Sequence, residues 1–269
     1  MRARELDQLR AIVRRESGMV LDSVQDHAIE LRLTQVAVAE KFSTVAALVA
    51  ALRKEDRRLH RKVAEALTIH ETQFFRDPRM FLALEQTILP RLVRARSSLV
   101  IWSAAAASGQ EAYSVAMLAR DRFPGLDVRI LATDFSHAMV SRVAEGAYSD
   151  FEIHRGLTQE LRERHFEKDG EQWRVRRKVR AMVEVADFNL AGIWPVFPRF
   201  DVILLRNVLV YLDETVRDQI LAQVRSALAA DGVLVVGATE SCVISDDGFE
   251  RFVAGQSTFY RPLSHEEHR

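Results

Sequence analysis

Along residues 1–75 apolar side chains recur at spacings of three and four: Leu6, Leu9, Ile12 and Val13, then Ile29, Leu31, Leu33 and Val36, then Ala47, Leu48 and Leu52. That period predicts three or four amphipathic helices forming a small bundle. The stretch holds no proline and one glycine, Gly18. Pro78 suits a first helical turn, so the next helix is expected from Asp77 through Leu92. The pattern then changes. Leu99–Trp102, apolar and β-branched, reads as a strand buried on both faces, and Val128–Thr133, Met182–Val185, Phe200–Leu205 and Val233–Gly237 read as further strands. Between them, Glu111–Leu118, Ser136–Glu145 and Asp213–Leu228 carry helical periodicity, and Ser257–Tyr260 is expected to return as an edge strand. Strand alternating with helix predicts an α/β domain at 76–269 after a helical domain at 1–75. Residues 148–180 interrupt the alternation. A short helix at Leu157–Phe166 and a turn at Lys168–Glu171, flanked by Trp173–Val175 and Lys178–Arg180, predict a basic helix-plus-hairpin insertion.

Candidate chemistry begins at Leu99–Ser114, LVIWSAAAASGQEAYS. A buried strand runs into small residues, Ser103 to Gly109, and then into a helix, which is how nucleotide-binding α/β domains start. The full GxGxxG fingerprint is missing, so a packed turn without a ligand stays open. Asp134, at the tip of the second strand and 25 residues after Gly109, is placed to accept hydrogen bonds from ribose hydroxyls. Asn207 and Tyr211 follow the clearest strand, at the end where open α/β sheets bind ligands. Their structural alternatives are a turn residue and a half-buried core aromatic. The connector TIHETQFFRDP, Thr68–Pro78, sets Arg76 beside the paired Phe74 and Phe75, and reads as a cleft wall or a domain hinge.

Composition narrows the classes. The chain has 269 residues with 38 basic and 38 acidic side chains, so no overall field favours nucleic acid or a membrane. A single cysteine, Cys242, excludes an internal disulfide framework and a cysteine metal cage, and no metal is expected. No apolar run reaches the roughly 18 residues of a spanning helix. The opening MRARELDQLR lacks an apolar signal core, which makes a cytoplasmic location the default. Arg53–Lys62 holds six cations in ten residues; a solvated helix face outweighs a docking face for an acidic partner.

Five blocks in order, TIHETQFFRDP, IWSAAAASGQEAYS, ILATDFS, VADFN and FDVILLRNVLVYLD, resemble the CheR family of chemotaxis-receptor glutamate O-methyltransferases. The likeness covers nearly the whole chain. It implies a class I methyltransferase, a Rossmann-like, mostly parallel sheet with one antiparallel edge strand, an N-terminal all-helical domain and a small β-subdomain. It implies S-adenosylmethionine (SAM) as cofactor and S-adenosylhomocysteine (SAH) as product. Carried over residue by residue, His70, Thr72 and Arg76 would face the cofactor, and Glu111 and Asp134 would hold its amino-acid and ribose parts. Asn189 and Leu190 would flank adenine, while Asn207 and Val208 with Tyr211 would line the reacting centre. Arg76 and Tyr211 are the catalytic candidates. His70 stands where the family usually has Asn, and Gln110 and Ala112 replace the Glu and Pro of G-E-E-P-Y. The implied partners are the cytoplasmic methylation helices of chemoreceptors, met by a monomer. Some family members tether to a receptor C-terminal peptide through a glycine-rich loop in the β-subdomain. The short turn Glu167–Gln172, with one glycine, leads us to expect no tether here. A non-catalytic SAM or SAH sensor, and a methyltransferase acting on another substrate, are the alternatives.

Overall fold

The computed structural model describes residues 3–21, 26–244 and 248–263, and these group into two compact units. The first contains residues up to Ile69 together with 189–193 and 211–220. Its helices are α1 (Ala3–Ser17), α2 (Asp26–Ala39), α3 (Val45–Ala51) and α4 (Arg57–Leu67). The buried positions Leu9, Ile12 and Val13 on α1, and Leu59, Val63 and Leu67 on α4, keep the three-and-four spacing that drove helix formation. Asp56 caps α4 by accepting from the Leu59 amide, and Arg32 donates to the Leu67 and Thr68 carbonyls at its other end. In the basic cluster, Arg58 and Lys62 both pair with Glu40, and His60 turns inward against the Leu52 carbonyl and Arg15. Arg58 and Lys62 thus meet a carboxylate of their own unit while their side chains stay exposed. Later chain joins the same unit: the Val20 amide donates to the Tyr211 carbonyl, and Arg14 pairs with Asp213 at 2.5 Å.

The second unit is built on a seven-stranded sheet in the order β6-β2-β1-β7-β8-β10-β9. The strands are β1 (Ser98–Ala104), β2 (Asp127–Asp134), β6 (Val183–Asp187), β7 (Phe200–Leu205), β8 (Leu228–Val236), β9 (Phe249–Ala254) and β10 (Ser257–Pro262). The first five in that order run parallel, and β10 alone is reversed. Period-two alternation sorts the side chains. Leu99, Ile101, Ile130, Val202 and Leu204 enter the core that also holds α7 (Gln110–Arg122). On β1, Trp102 instead packs its ring against Phe188, Trp194, Phe197 and Phe200 and donates Nε1–H to Thr133 Oγ1 at 2.9 Å. The aromatic cluster covers strands whose six β7 residues are all buried.

Three local expectations change. Ser257–Tyr260 belongs to the reversed strand, one place in from the edge; the edge itself is β9, whose exposed Glu250 and Arg251 break the apolar run that marks an inner strand. Helix 77–92 forms as Pro78–Ala83 and Leu89–Val93 joined by a π-turn over Leu84–Ile88. Pro90 lacks an N–H and its ring excludes the carbonyl four residues back, so the ladder must widen there. Lys178–Arg180 is helical, within α11 (Arg177–Arg180), because Val179 alone is buried and no alternating partner row exists.

The hairpin partner of β5 (Gln172–Val175) is β4 (Phe166–Asp169), joined through Gly170-Glu171, with β3 (Ala147–Ser149) on the other side of β5. This small sheet grips the connector. Phe74, fully buried, meets the rings of Tyr148 and Phe166 edge-on at 5.0 and 5.5 Å. Gly156, at φ +96°, passes so close that a Cβ there would sit 1.9 Å from the Phe74 carbonyl oxygen. Gly156→Ala therefore combines left-handed strain with a backbone clash and should cost more than about 2 kcal/mol. Urea unfolding of the full chain measures this, and an unchanged midpoint would contradict the close approach.

Candidate active site

Chain order creates the cleft. From β1 the chain goes outward through β2 to β6, then returns to the other side of β1 for β7 and β8. The loops after β1 and β7 therefore diverge, and ligands of open α/β sheets bind at that switch point. Strain gathers here. Phe75, Asp77, Ala105, Ala107 and Asn207 all have positive φ although none is glycine. Each such residue costs on the order of 1–3 kcal/mol and persists only where surrounding contacts enforce it.

The turn after β1 shows how. The Ala106 amide donates to the Thr133 carbonyl, the Ala107 amide donates to Asp134 Oδ2 at 2.8 Å, and Gly109 at φ +92° starts α7. From the insertion, the Tyr148 hydroxyl donates to the Ser108 carbonyl at 2.7 Å. From Ala104 to Gly109 no side chain is larger than a hydroxymethyl, so a ligand can approach the backbone.

Asp134 is 6% exposed and accepts from two buried amides, Ala107 through Oδ2 and Ser136 through Oδ1 at 2.9 Å. His70 Nε2 lies 3.8 Å from Oδ1. Burial pushes this carboxyl above the usual range, opposed by the Ser136 amide, a positive imidazole at His70 and the Ala107 amide. Glu111, in the first turn of α7, accepts from Ser103 Oγ at 2.7 Å and from Arg206 Nη1 at 2.9 Å. Arg206 also donates to the Arg76 carbonyl at 3.0 Å and stands 3.8 Å from Asp77. Arg76 is half-buried between the two strained residues, with its guanidinium on the Glu71 carbonyl at 3.0 Å. Thr72 is half-buried in the same connector, which Ser114 Oγ pins by accepting from the Phe75 amide. Asn207 and Val208 are half-buried, and their amides donate to Glu240.

These contacts bring His70, Arg76, Glu111, Asp134, Asn207 and Val208 to one end of the sheet, on the connector and on the segments that follow β1, β2 and β7. Asn189, Leu190 and Tyr211 fall in the helical unit. There the Asn189 side chain donates to the Glu16 carbonyl at 2.6 Å and accepts from the Ala191 amide, Leu190 is buried, and Tyr211 is half-buried. Sequence reasoning gave no role to Arg206, Glu240, Ser103 or Tyr148. Arg206 had a signal, a cation directly after the apolar run Val202–Leu205. Among the described residues no cluster of three or more His, Cys, Asp or Glu side chains could hold a metal, and no helix is long and apolar enough to cross a membrane.

Two carboxylates beside a bare backbone turn suit a ligand that carries positive charge and vicinal hydroxyls, as SAM does. The mostly parallel sheet, with its one reversed strand, is the Rossmann-like fold of the class I methyltransferases. Residues 70–258 match the model of the CheR methyltransferase SAM-binding domain, and the chain belongs to that family. It is 31% identical to chemotaxis protein methyltransferase 1 of Pseudomonas aeruginosa, over 96% of this chain and 97% of that protein. It is 32% identical to chemotaxis protein methyltransferase Cher2 of Pseudomonas putida, over 88% of this chain and 90% of that one.

An ionised Asp134 would accept from ribose hydroxyls more strongly than the neutral acid. Affinity for SAH should therefore fall as pH drops through its raised pKa, beginning above the ordinary aspartate value of about 3.9. His70→Asn removes a cation that favours the ionised form, so the fall should start at higher pH. Calorimetric titrations across that range check both statements. A pH-independent affinity in both proteins would remove Asp134 from the site.

Proposed function

We propose that this protein transfers the methyl group of SAM to glutamate side chains on the cytoplasmic helices of chemoreceptors, forming glutamyl methyl esters, and that it does so in the cytoplasm as a monomer. The observation that carries the reading is the buried bridge from Glu111 through Arg206 to the Arg76 carbonyl, which ties a cofactor-binding helix to the one connector arginine flanked by strained backbone. The acceptor class rests on the chemotaxis methyltransferases that the chain resembles over nearly its full length.

The chemistry asks little proton transfer of the protein. A glutamate side chain, with a reference pKa near 4.3, arrives as an anionic nucleophile and needs no general base. Bound SAM supplies an electrophilic methyl group on a sulfonium. Alignment is then the protein's main contribution, and good alignment is worth roughly 7–11 kcal/mol. Asp134 and Glu111 bind the cofactor's ribose and amino-acid portions, with His70 and Thr72 at its side. Asn207 and Val208 border the reacting centre. Arg76 orients the substrate carboxylate, since a planar guanidinium fork matches that group. Asn189 and Leu190 at adenine, and Tyr211 at the reacting centre, are kept on the family resemblance alone.

Arg76→Ala should lower methylation of receptor cytoplasmic fragments by on the order of 10²-fold while SAH still binds, comparable to losing one preorganised donor. Arg76→Lys should recover little, because a point charge lacks the fork. Near-normal turnover by Arg76→Ala would exclude the role.

Recruitment is proposed to run without a receptor tail peptide. Gly170-Glu171 closes the β4–β5 hairpin in two residues, and two arginines of the basic arm are already engaged: Arg174 pairs with Asp169, and Arg174 and Arg180 both donate to the Glu145 carbonyl at the end of the preceding helix. A strand-adding peptide needs an open edge with side-chain pockets. Methylation of one receptor with and without its C-terminal tail, at equal low concentration, should proceed equally. Loss on tail removal, with tail peptide bound to residues 148–180, would overturn this.

A further inference from the structure

Glu240 is a fully buried carboxylate that the proposed chemistry leaves without a task. It lies in the short helical turn Ala238–Val243 that follows β8. Its oxygens are occupied by main chain. Oε2 accepts from the Asn207 amide at 2.6 Å and the Gly237 amide at 2.7 Å. Oε1 accepts from the Val208 amide at 2.8 Å and the Leu209 amide at 2.7 Å. Three successive amides from the loop after β7 thus converge on one side chain from the loop after β8. Four N–H donors satisfy an ionised carboxylate without any cation, and charge-assisted bonds of this kind are the stronger class.

The loop that Glu240 holds is strained. Asn207 has φ +58°, a conformation that an asparagine tolerates but does not prefer strongly. Released from the carboxylate, Asn207 would relax toward ordinary backbone and swing its side chain, with Val208, away from the position the fold gives them. Space on the far side is also closed. A Cβ on Gly237 would fall 2.6 Å from Glu240 Oε2 and 2.9 Å from Asn207 Nδ2.

We infer that Glu240 is a positioning residue: its carboxylate holds the Asn207–Leu209 backbone, with Asn207 at positive φ, in the turn that presents Asn207 and Val208 to cofactor and acceptor. The inference rests on the reading above that Asn207 and Val208 border the reacting centre. Glu240 touches neither cofactor nor substrate. It acts through the loop.

The test compares Glu240→Gln, Gly237→Ala and Asn207→Ala in the full chain. Glu240→Gln keeps shape but turns an NH2 toward amide donors, so two of the four bonds are lost whichever way the amide faces. Amide hydrogen exchange at Asn207, Val208 and Leu209 should quicken by about tenfold or more, above any change in the central strands. Calorimetry on the folded protein should show SAH affinity weakened by about tenfold, with a fall in kcat and little change in receptor KM. Gly237→Ala, which displaces the carboxylate without removing it, should do the same. A merely structural glutamate would lower the melting temperature and the fraction that binds, while the folded fraction kept its affinity and loop protection. That outcome would overturn the inference. If instead Asn207→Ala binds SAH and turns over normally, the reading of the site is wrong. Impaired Asn207→Ala with normal Glu240→Gln and Gly237→Ala rejects the positioning role alone.

Discussion

A buried guanidinium holds the candidate site together. The side chain of Arg206, 3% exposed, lies between the connector, the first turn of α7 and the end of β7. Burying a cation is costly unless it is paired and its hydrogens are used. Glu111 pairs with it, and the Arg76 carbonyl and the nearby Asp77 draw the connector onto the same group. The Arg206 Nε makes no hydrogen bond, so the contacts of the two Nη atoms are what tie the three segments together. Phe75 and Asp77, both at positive φ, stand on either side of Arg76, whose carbonyl Arg206 holds.

Anionic side chains perform the complementary task on backbone. Asp134 gathers the amides of the turn after β1 and of Ser136, while Glu240 gathers those of the loop after β7. Loops that must present bare main chain to a ligand cannot be stiffened by their own side chains, because those would occupy the ligand's place. A carboxylate reaching in from a neighbouring segment stiffens them from behind. This explains why left-handed alanines at 105 and 107 survive where glycine would be the ordinary choice.

The parallel sheet was readable because buried strands leave apolar runs such as Val202–Leu205, although Asp201 within the same buried strand is charged and pairs with Arg96. Asp134 was readable because the distance from a βα turn to the next strand tip is nearly constant in such folds. β9 was not, since an edge strand carries charge and loses the run. Glu240 was not, because its meaning depends on amides 31 to 33 positions earlier, and any amide looks alike in a sequence. Asn189 came from family likeness and Tyr211 first from its place after the clearest strand, and neither signal tells that their segments complete the helical unit through α1 and the Gly18–Val20 stretch.

Tyr148 gives the insertion a standing that its place in the chain conceals. Its ring covers one side of Phe74, and its hydroxyl satisfies the Ser108 carbonyl inside the turn after β1. A subdomain attached this way is not an exchangeable accessory. Trimming 148–180 from the chain would strip an aromatic of its cover and orphan a buried acceptor in the turn itself, so the insertion cannot be shed without damaging the enzyme's founding motif.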